Sequence, residues 1–240
     1  MSTSARTWLR VPLGFLLGLV VFAIAGPVSR LPDRLLQSGP DVDPWLSTLT
    51  FQITMGIVAV LIMLIIGRGN LRRFGFQRGS QWRFVRVALI VLAAELLISL
   101  AFLPFPKPGP DHFAADFTWW QTLIGVLIVA STLEEVVARG LVQTIVDPLR
   151  NHGLHIGRLN LSVPVLTGAV YFSAMHIPLL VMGIDTIQGI QILCSTFALG
   201  LIAGYFRESS GSLIPAVIAH MLANVYGMGL GELFGWLGIG

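Results

Sequence analysis

Two adjacent glutamates lie in the middle of an apolar stretch that runs from residue 123 to residue 146. These are Glu134 and Glu135, and Arg139 follows four residues after the second glutamate. A charged side chain at the centre of a bilayer costs roughly 3 to 15 kcal/mol, depending on how the cost is measured. Three ionisable groups this close together are compatible with a membrane span only if they face the interior of a helix bundle or a wet cavity. This cluster is the first candidate for a functional site.

Two later apolar stretches supply histidines and an amide. His176 lies in the first of them, and His220 and Asn224 lie in the second. At about 1.5 Å of rise per helical residue, Glu134 and these three side chains stand roughly 13 to 22 Å above the same ends of their helices. The hydrocarbon core of a bilayer is about 30 Å thick. The four residues are therefore expected in one middle layer, where they could form a single site.

Helical spacing suggests different roles for the two glutamates. Glu135 and Arg139 are four residues apart, so they share a helix face and can form an ion pair. Glu134 is turned by about 100° from its neighbour and is less able to use that arginine. Together with His176, Glu134 could hold and deprotonate a water molecule.

His220 and Asn224 are also four residues apart and share a helix face. Both could donate hydrogen bonds to the oxyanion that forms when water attacks an amide carbonyl. Phe172 precedes His176 by four residues and could place an apolar wall beside it. No serine, cysteine or pair of aspartates is equally well placed for covalent catalysis. The pattern favours peptide hydrolysis by activated water, with four predicted catalytic residues: Glu134, His176, His220 and Asn224.

The elements that must position these side chains are apolar spans. Hydrophobic residues make up 55% of the chain and charged residues only 11%, whereas soluble domains carry about 25% charged residues. Backbone groups in lipid must be paired within their own segment, which favours helices. Spans of about 20 residues are predicted at 11–28, 45–67, 84–103, 119–146, 161–182, 187–206 and 211–234. We predict an all-α, polytopic transmembrane helical bundle of about seven spans. It forms a single membrane domain, 1–240, with N-terminal helices in 1–110 and the catalytic core in 117–228.

The placement of charge predicts the orientation in the membrane. If the link 70–86 is cytoplasmic, the alternation of spans assigns every other loop. The inner side then carries Arg6, Arg10, Arg68, Arg72, Arg73, Arg78, Arg83, Arg86, Arg150, Arg158 and Arg207. The outer side carries Arg30, Arg34 and Lys107 with Asp33, Asp41, Asp43, Asp111, Asp116 and Asp185. This asymmetry predicts a multi-pass protein of the cell membrane with its N-terminus in the cytoplasm and its C-terminus outside. Because orientation accounts for the basic loop, we expect membrane lipid and no nucleic acid as a partner.

Three short motifs resemble those of a known family. The run from Glu134-Glu135 to Arg139 looks like the EExxxR motif of the CAAX prenyl endopeptidase and bacteriocin-processing (CPBP) family, also called the Abi family. Residues 172–176 match its second motif, FxxxH, and residues 220–224 match its third, HxxxN. The resemblance covers roughly residues 119–226, and the order and spacing of the three motifs make it specific.

The resemblance implies an intramembrane endopeptidase with its site in a cavity among the core helices. In the family, the first glutamate of the first motif and the histidine of the second, here Glu134 and His176, are thought to activate water. The histidine and asparagine of the third motif are thought to stabilise the oxyanion. The supporting residues are then Glu135, Arg139 and Phe172. The substrate would be a membrane-associated or lipidated protein or peptide, and prenylated C-termini and leader peptides both stay open. Relatives often have eight spans, so the route of substrate entry stays open as well.

Metal dependence is a second open question. Zinc sites commonly use carboxylates and histidines, and the ligands here would be Glu134, His176 and His220. The chain lacks the H-E-x-x-H helix of many zinc proteases, and Glu135 paired with Arg139 would be a poor ligand. We expect hydrolysis without a cofactor, with zinc as the alternative.

Proteolysis is not the only function that would place a polar cluster within the membrane. Members of the family also serve as bacteriocin-immunity or membrane-scaffolding proteins, which are not catalytic. A transporter could use buried acids and histidines as a proton relay, but no convincing inverted repeat is present. A purely structural network would gain only about 0.6 kcal/mol per membrane hydrogen bond.

Glu95, alone in the third span, has no assigned role. The first span also resembles a signal peptide ending near residue 25, although we expect a retained helix.

Overall fold

Seven helices that are long and apolar enough to cross a membrane make up most of the described chain. The computed structural model describes residues 3–31, 44–80, 82–105, 117–157, 159–181 and 183–237. The helices are α1 (Thr3–Trp8), α2 (Arg10–Val28), α3 (Pro44–Gly67), α4 (Phe84–Phe102), α5 (Trp119–Leu149), α6 (Val163–Ala174), α7 (Pro178–Val181), α8 (Thr186–Ser210) and α9 (Ile214–Trp236). The short α1 leads into α2, and α6 with α7 forms the fifth span. The predicted all-α transmembrane bundle and its seven spans are confirmed.

The outer faces of the spans are apolar. Ile65 of α3 is 77% exposed and Leu97 of α4 is 68% exposed, while Glu135 and Arg139 inside the bundle are fully buried. This is the reverse of the arrangement in a soluble protein, where large exposed apolar surfaces are rare. Lipid is the solvent that suits such faces, so the chain is an integral, multi-pass membrane protein.

One end of the bundle carries most of the arginines. The amide of Leu213, before α9, donates to the carbonyl of Gly75 in the link between α3 and α4 (3.0 Å). Nη2 of Arg150 donates to the carbonyl of Glu208 near the end of α8 (3.0 Å). These bonds bring together loops that the alternation of spans assigned to one side. We call this end the basic end; its described arginines include Arg68, Arg72, Arg73, Arg78, Arg83, Arg86, Arg150 and Arg207. Several charged residues of the predicted loops lie outside the described residues: Asp33, Arg34, Asp41, Asp43, Lys107, Asp111, Asp116 and Arg158.

A β-hairpin at the basic end corrects the predicted start of the fifth span. Strands β1 (Gly153–Ile156) and β2 (Leu159–Ser162) pair antiparallel, with Leu154 opposite Leu161. The chain was expected to be helical from residue 161, but α6 begins only at Val163. The reason is local, because Ser162 Oγ accepts the amide of Val165 (3.3 Å) and so caps the first turn of the helix.

The helix α5, which carries the glutamates, is not wound uniformly. Thr122–Ala130 and Val136–Gln143 are π-helical, whereas Ser131–Glu135 between them is α-helical. The hydroxyl of Ser131 donates to the carbonyl of Val126, five residues earlier (3.2 Å). In an α-helix such a hydroxyl reaches the carbonyl three or four residues back, so the longer reach fits the wider π turn. The glutamates therefore lie on one α-helical turn between two wider stretches, which are frequent at functional sites.

Close packing of α8 against α6 and α5 depends on two glycines. A Cβ atom at Gly200 would lie 2.7 Å from the Cα of Ala169 in α6. A Cβ atom at Gly204 would lie 3.2 Å from Val165 and 3.3 Å from Gln143 of α5. The small residues at this four-residue spacing allow the helix backbones to approach each other. This packing holds α6 and α8 against α5, the helix that carries the glutamates.

Candidate active site

Glu135 is the fully engaged member of the glutamate pair. Its Oε2 lies 3.1 Å from Nε of Arg139, and its Oε1 lies 3.1 Å from Nδ1 of His220. The guanidinium of Arg139 lies over the ring of Phe172, with 4.6 Å from Cζ to the ring centroid. The ion pair expected from the four-residue spacing is therefore present. Both carboxylate oxygens of Glu135 are therefore occupied, one by Arg139 and the other by His220.

Glu134 is the glutamate with a free oxygen. Nε2 of Gln52, on α3, donates to Oε1 of Glu134 (2.8 Å). The other oxygen, Oε2, lies 3.9 Å from Nε2 of His220 and has no hydrogen bond within the described part of the chain. The Glu134 side chain is 12% exposed, whereas that of Glu135 is not exposed at all. Glu134 is thus the carboxylate that can meet a water molecule.

The imidazole of His220 lies between the two carboxylates. Because Glu135 is ion-paired with Arg139, its carboxylate accepts, and Nδ1 of His220 is the donor. In the neutral ring Nε2 then carries a lone pair, and in the imidazolium both nitrogens donate, one toward each glutamate. The ring packs edge-on against Phe172, with 5.2 Å between centroids. His220 can therefore donate from Nε2 when it carries a second proton.

His176 is oriented by the backbone of Phe172. It lies in the turn after α6, where the sequence predicted continuous helix, and its Nδ1 is 2.8 Å from the Phe172 carbonyl oxygen. A carbonyl can only accept, so Nδ1 carries the hydrogen and Nε2 is left with a lone pair. The ring of Phe172 also packs edge-on against that of His176 (5.2 Å). Phe172 supplies the predicted apolar wall, and its carbonyl fixes the tautomer as well.

Asn224 reaches α5 one turn before the glutamates. Its Nδ2 donates to Oγ of Ser131 (3.0 Å), and that hydroxyl donates onward to a backbone carbonyl. An amide nitrogen has two hydrogens, so one stays free for another acceptor. Asn224 therefore contacts α5, the helix that carries Glu134 and that His220 contacts through Glu135. Among the described residues, no direct hydrogen bond joins Glu134 to His176.

Sequence reasoning missed two residues of this cluster, Gln52 and Ser131. Gln52 is the only amide side chain in the span 45–67, and this was the available signal. Ser131 carries no comparable signal, because a single hydroxyl in a span bonds to its own helix as a rule. Glu95 is buried and accepts a hydrogen bond from Ser195 Oγ (3.0 Å), so it has a structural partner.

The candidate metal ligands are not gathered into a coordination site. Within the residues that the structure describes, no three His, Cys, Asp or Glu side chains are arranged to hold a metal ion. Hydrolysis without a cofactor stays a prediction, with Glu134, His176 and His220 as the alternative zinc ligands. Glu135, the nearest further carboxylate, is taken by Arg139 and His220.

Comparison with known proteins supports the resemblance read from the motifs. Residues 115–226 match the family model of the type II CAAX prenyl endopeptidases, described as Rce1-like. No curated protein and no solved structure matches the chain. The matched segment contains all three motifs and the whole polar cluster except Gln52. Over this segment the chain is similar to the CAAX prenyl endopeptidase family, whose members are in general membrane proteases.

Proposed function

We propose that this protein is an intramembrane endopeptidase that hydrolyses a peptide bond in a membrane-associated or lipidated protein or peptide. The observation that carries the proposal is the different use of two adjacent glutamates. Both oxygens of Glu135 are engaged, whereas Glu134 keeps Oε2 free and is partly exposed. A general base needs an accessible lone pair within reach of water. Glu134 meets that requirement.

In the proposed reaction, Glu134 Oε2 takes a proton from a water molecule that also donates to Nε2 of His176. The water oxygen bonds to the carbonyl carbon of the substrate, and the electron pair of the carbonyl bond moves to its oxygen. His220 Nε2, in the protonated ring, and the free amide hydrogen of Asn224 donate to that oxyanion. The proton on Glu134 then passes to the amide nitrogen, the C–N bond breaks, and an acid and an amine are released.

The family match supports substrates that are peptides or proteins at a membrane. The site lies among apolar spans, so the substrate must present its scissile bond within the bundle. Prenylated C-termini and leader peptides are both candidate substrates, and cleavage data decide between them. We further propose that the basic end faces the cytoplasm, since arginine-rich loops are retained on that side.

The test compares cleavage of a fluorogenic library of lipidated and unlipidated peptides by purified full-length protein in detergent. Glu134→Gln is nearly isosteric and removes the base. Glu232→Gln makes the same chemical change at an exposed position of α9 and serves as the control. We expect cleavage to be lost only in Glu134→Gln and to survive exhaustive chelation.

Other outcomes have definite meanings. Undiminished cleavage by Glu134→Gln would remove Glu134 from the mechanism. Loss on chelation with recovery on adding zinc would assign Glu134, His176 and His220 to metal binding. No cleavage of any peptide by folded wild-type protein would favour the immunity or scaffolding function.

A further inference from the structure

A cavity of about 290 Å³ opens at the basic end, between the start of α4 and the end of α8. Its lining residues are Trp82, Arg83, Arg86, Tyr205, Phe206 and Ser209. The cavity is separate from the candidate active site. Along α8, Ser209 lies about 13 Å closer to the basic end than Gly200, whose carbonyl oxygen contacts Arg139.

Among the residues that the structure describes, the two arginines of the cavity have no acidic partner. Arg83 directly precedes α4 and Arg86 lies in its first turn. Within the described residues, neither guanidinium forms an ion pair with a carboxylate. Two neighbouring cations repel each other, and the positive end of the helix dipole adds to their field. An anion bound between them would relieve this repulsion, and the planar fork of arginine suits phosphate oxygens.

The other walls suit a molecule with both a polar head and an apolar body. Tyr205 carries a hydroxyl group that can donate to phosphate or glycerol oxygens. The Ser209 hydroxyl donates to the carbonyl of Phe206 (3.3 Å) and keeps lone pairs that can accept from a glycerol hydroxyl. Trp82 and Phe206 supply apolar surface, and Trp82 stands just before a span, at the depth of the lipid headgroups. Free phosphate would leave this apolar surface without a partner. A phospholipid would use both parts of the cavity.

The walls are held in place by hydrogen bonds between the two loops that flank the cavity. The amide of Ser80 donates to the carbonyl of Ser210 (3.3 Å), and Oγ of Ser212 donates to the carbonyl of Gln77 (2.6 Å). Gly75 has φ +94°, and a Cβ atom there would lie 2.5 Å from Nε of Arg207. The loop therefore follows a path that needs glycine. The cavity is preformed, which lowers the cost of binding.

We propose that this basic-end cavity binds the phosphate headgroup of an anionic phospholipid. Basic pockets between transmembrane helices recognise such headgroups, and the unpaired arginines supply the charge here. The proposal does not depend on the proposed protease activity.

The test is lipid retention by purified full-length protein, measured by native mass spectrometry. Phosphatidylglycerol and phosphatidylcholine with identical acyl chains are each titrated into the detergent-solubilised protein. The Arg83→Gln/Arg86→Gln variant removes both cavity cations. Arg72→Gln/Arg78→Gln removes the same charge from exposed positions of the neighbouring loop, outside the cavity, and is the matched control.

We expect wild type and the control variant to retain phosphatidylglycerol in preference to phosphatidylcholine. The cavity variant should lose about tenfold in phosphatidylglycerol affinity and show no change with phosphatidylcholine. Thermal unfolding in phosphatidylcholine checks that both variants are folded. A third titration with inorganic phosphate tests the source of the anion.

Three results would overturn the proposal. Equal loss in both double variants would mean that general surface charge, not the cavity, attracts the lipid. Equal retention of the two lipids by wild type would mean that the headgroup is not recognised. Retention of inorganic phosphate equal to that of phosphatidylglycerol would assign the site to free phosphate instead of lipid.

Discussion

Gln52 donates a 2.8 Å hydrogen bond to Glu134 from a residue 82 positions earlier in the chain. The bond holds one carboxylate oxygen of the proposed base and leaves the other facing the site. Gln52 belongs to α3, outside the segment that matches the family model. The N-terminal half of the bundle thus supplies a positioning residue to a site whose motifs all lie in the C-terminal half.

Replacing Gln52 by Met should slow cleavage without unfolding the protein. A hydrogen bond to a charged group contributes about 1.5–3 kcal/mol, so kcat/KM should fall roughly tenfold to a hundredfold. Gln191→Met, on α8, makes the same change at a half-buried amide away from Glu134 and should leave kcat/KM unchanged. Steady-state cleavage rates measure the effect. Equal losses in both variants would show that Gln52 acts on stability alone.

His176 should tolerate replacement by Asn structurally but not catalytically. The Asn amide nitrogen can replace Nδ1 in the bond to the Phe172 carbonyl, but nothing then replaces Nε2. Because Nε2 orients the water that Glu134 deprotonates, and general base catalysis contributes about 10²–10⁴ in rate, we expect kcat to fall by at least about 100-fold with an unchanged unfolding temperature. A variant that keeps its rate would show that Nε2 of His176 does not orient the water.

Loss of Arg139 should destabilise the whole bundle. Arg139→Met leaves Glu135 buried without its cation, and breaking a buried ion pair costs about 3–5 kcal/mol. The thermal unfolding midpoint in detergent should therefore fall markedly. Glu135→Gln combined with Arg139→Met should recover part of the stability while staying inactive. Arg150→Gln breaks exposed pairs with Asp147 and Glu208 and should cost at most about 1 kcal/mol.

The proposed orientation predicts that the link between α3 and α4 and the C-terminal end of α9 are accessible from opposite sides of the membrane. In a Cys194→Ser background, Arg72→Cys should react only with reagents that reach the cytoplasm. Trp236→Cys, at the end of α9, should react from outside in intact cells. Labelling of both positions from one side would contradict the odd number of spans.

Local patterns were enough to predict the spans and the Glu135–Arg139 pair. Each apolar run is long enough for the bilayer by itself, and a four-residue spacing puts two side chains on one face of any regular helix. The winding of α5 was not predictable in this way. Ser131 bonds to a carbonyl five residues back, in a helix whose apolar pattern gives no sign of wider turns. The hairpin before Val163 was missed for a similar reason, since its strands are only four residues long each.

The sequence alone determined that charged groups lie in the membrane and which residue types are available for hydrolysis. It did so because burying a charge in lipid has a high free-energy cost, so ionisable residues within spans mark functional sites. Only the tertiary structure decided which glutamate is free. That choice depends on Arg139 and His220 occupying Glu135, and on Gln52 reaching Glu134 from another helix. Contacts between distant spans are set by how the helix faces pack, and no local pattern in the chain encodes them.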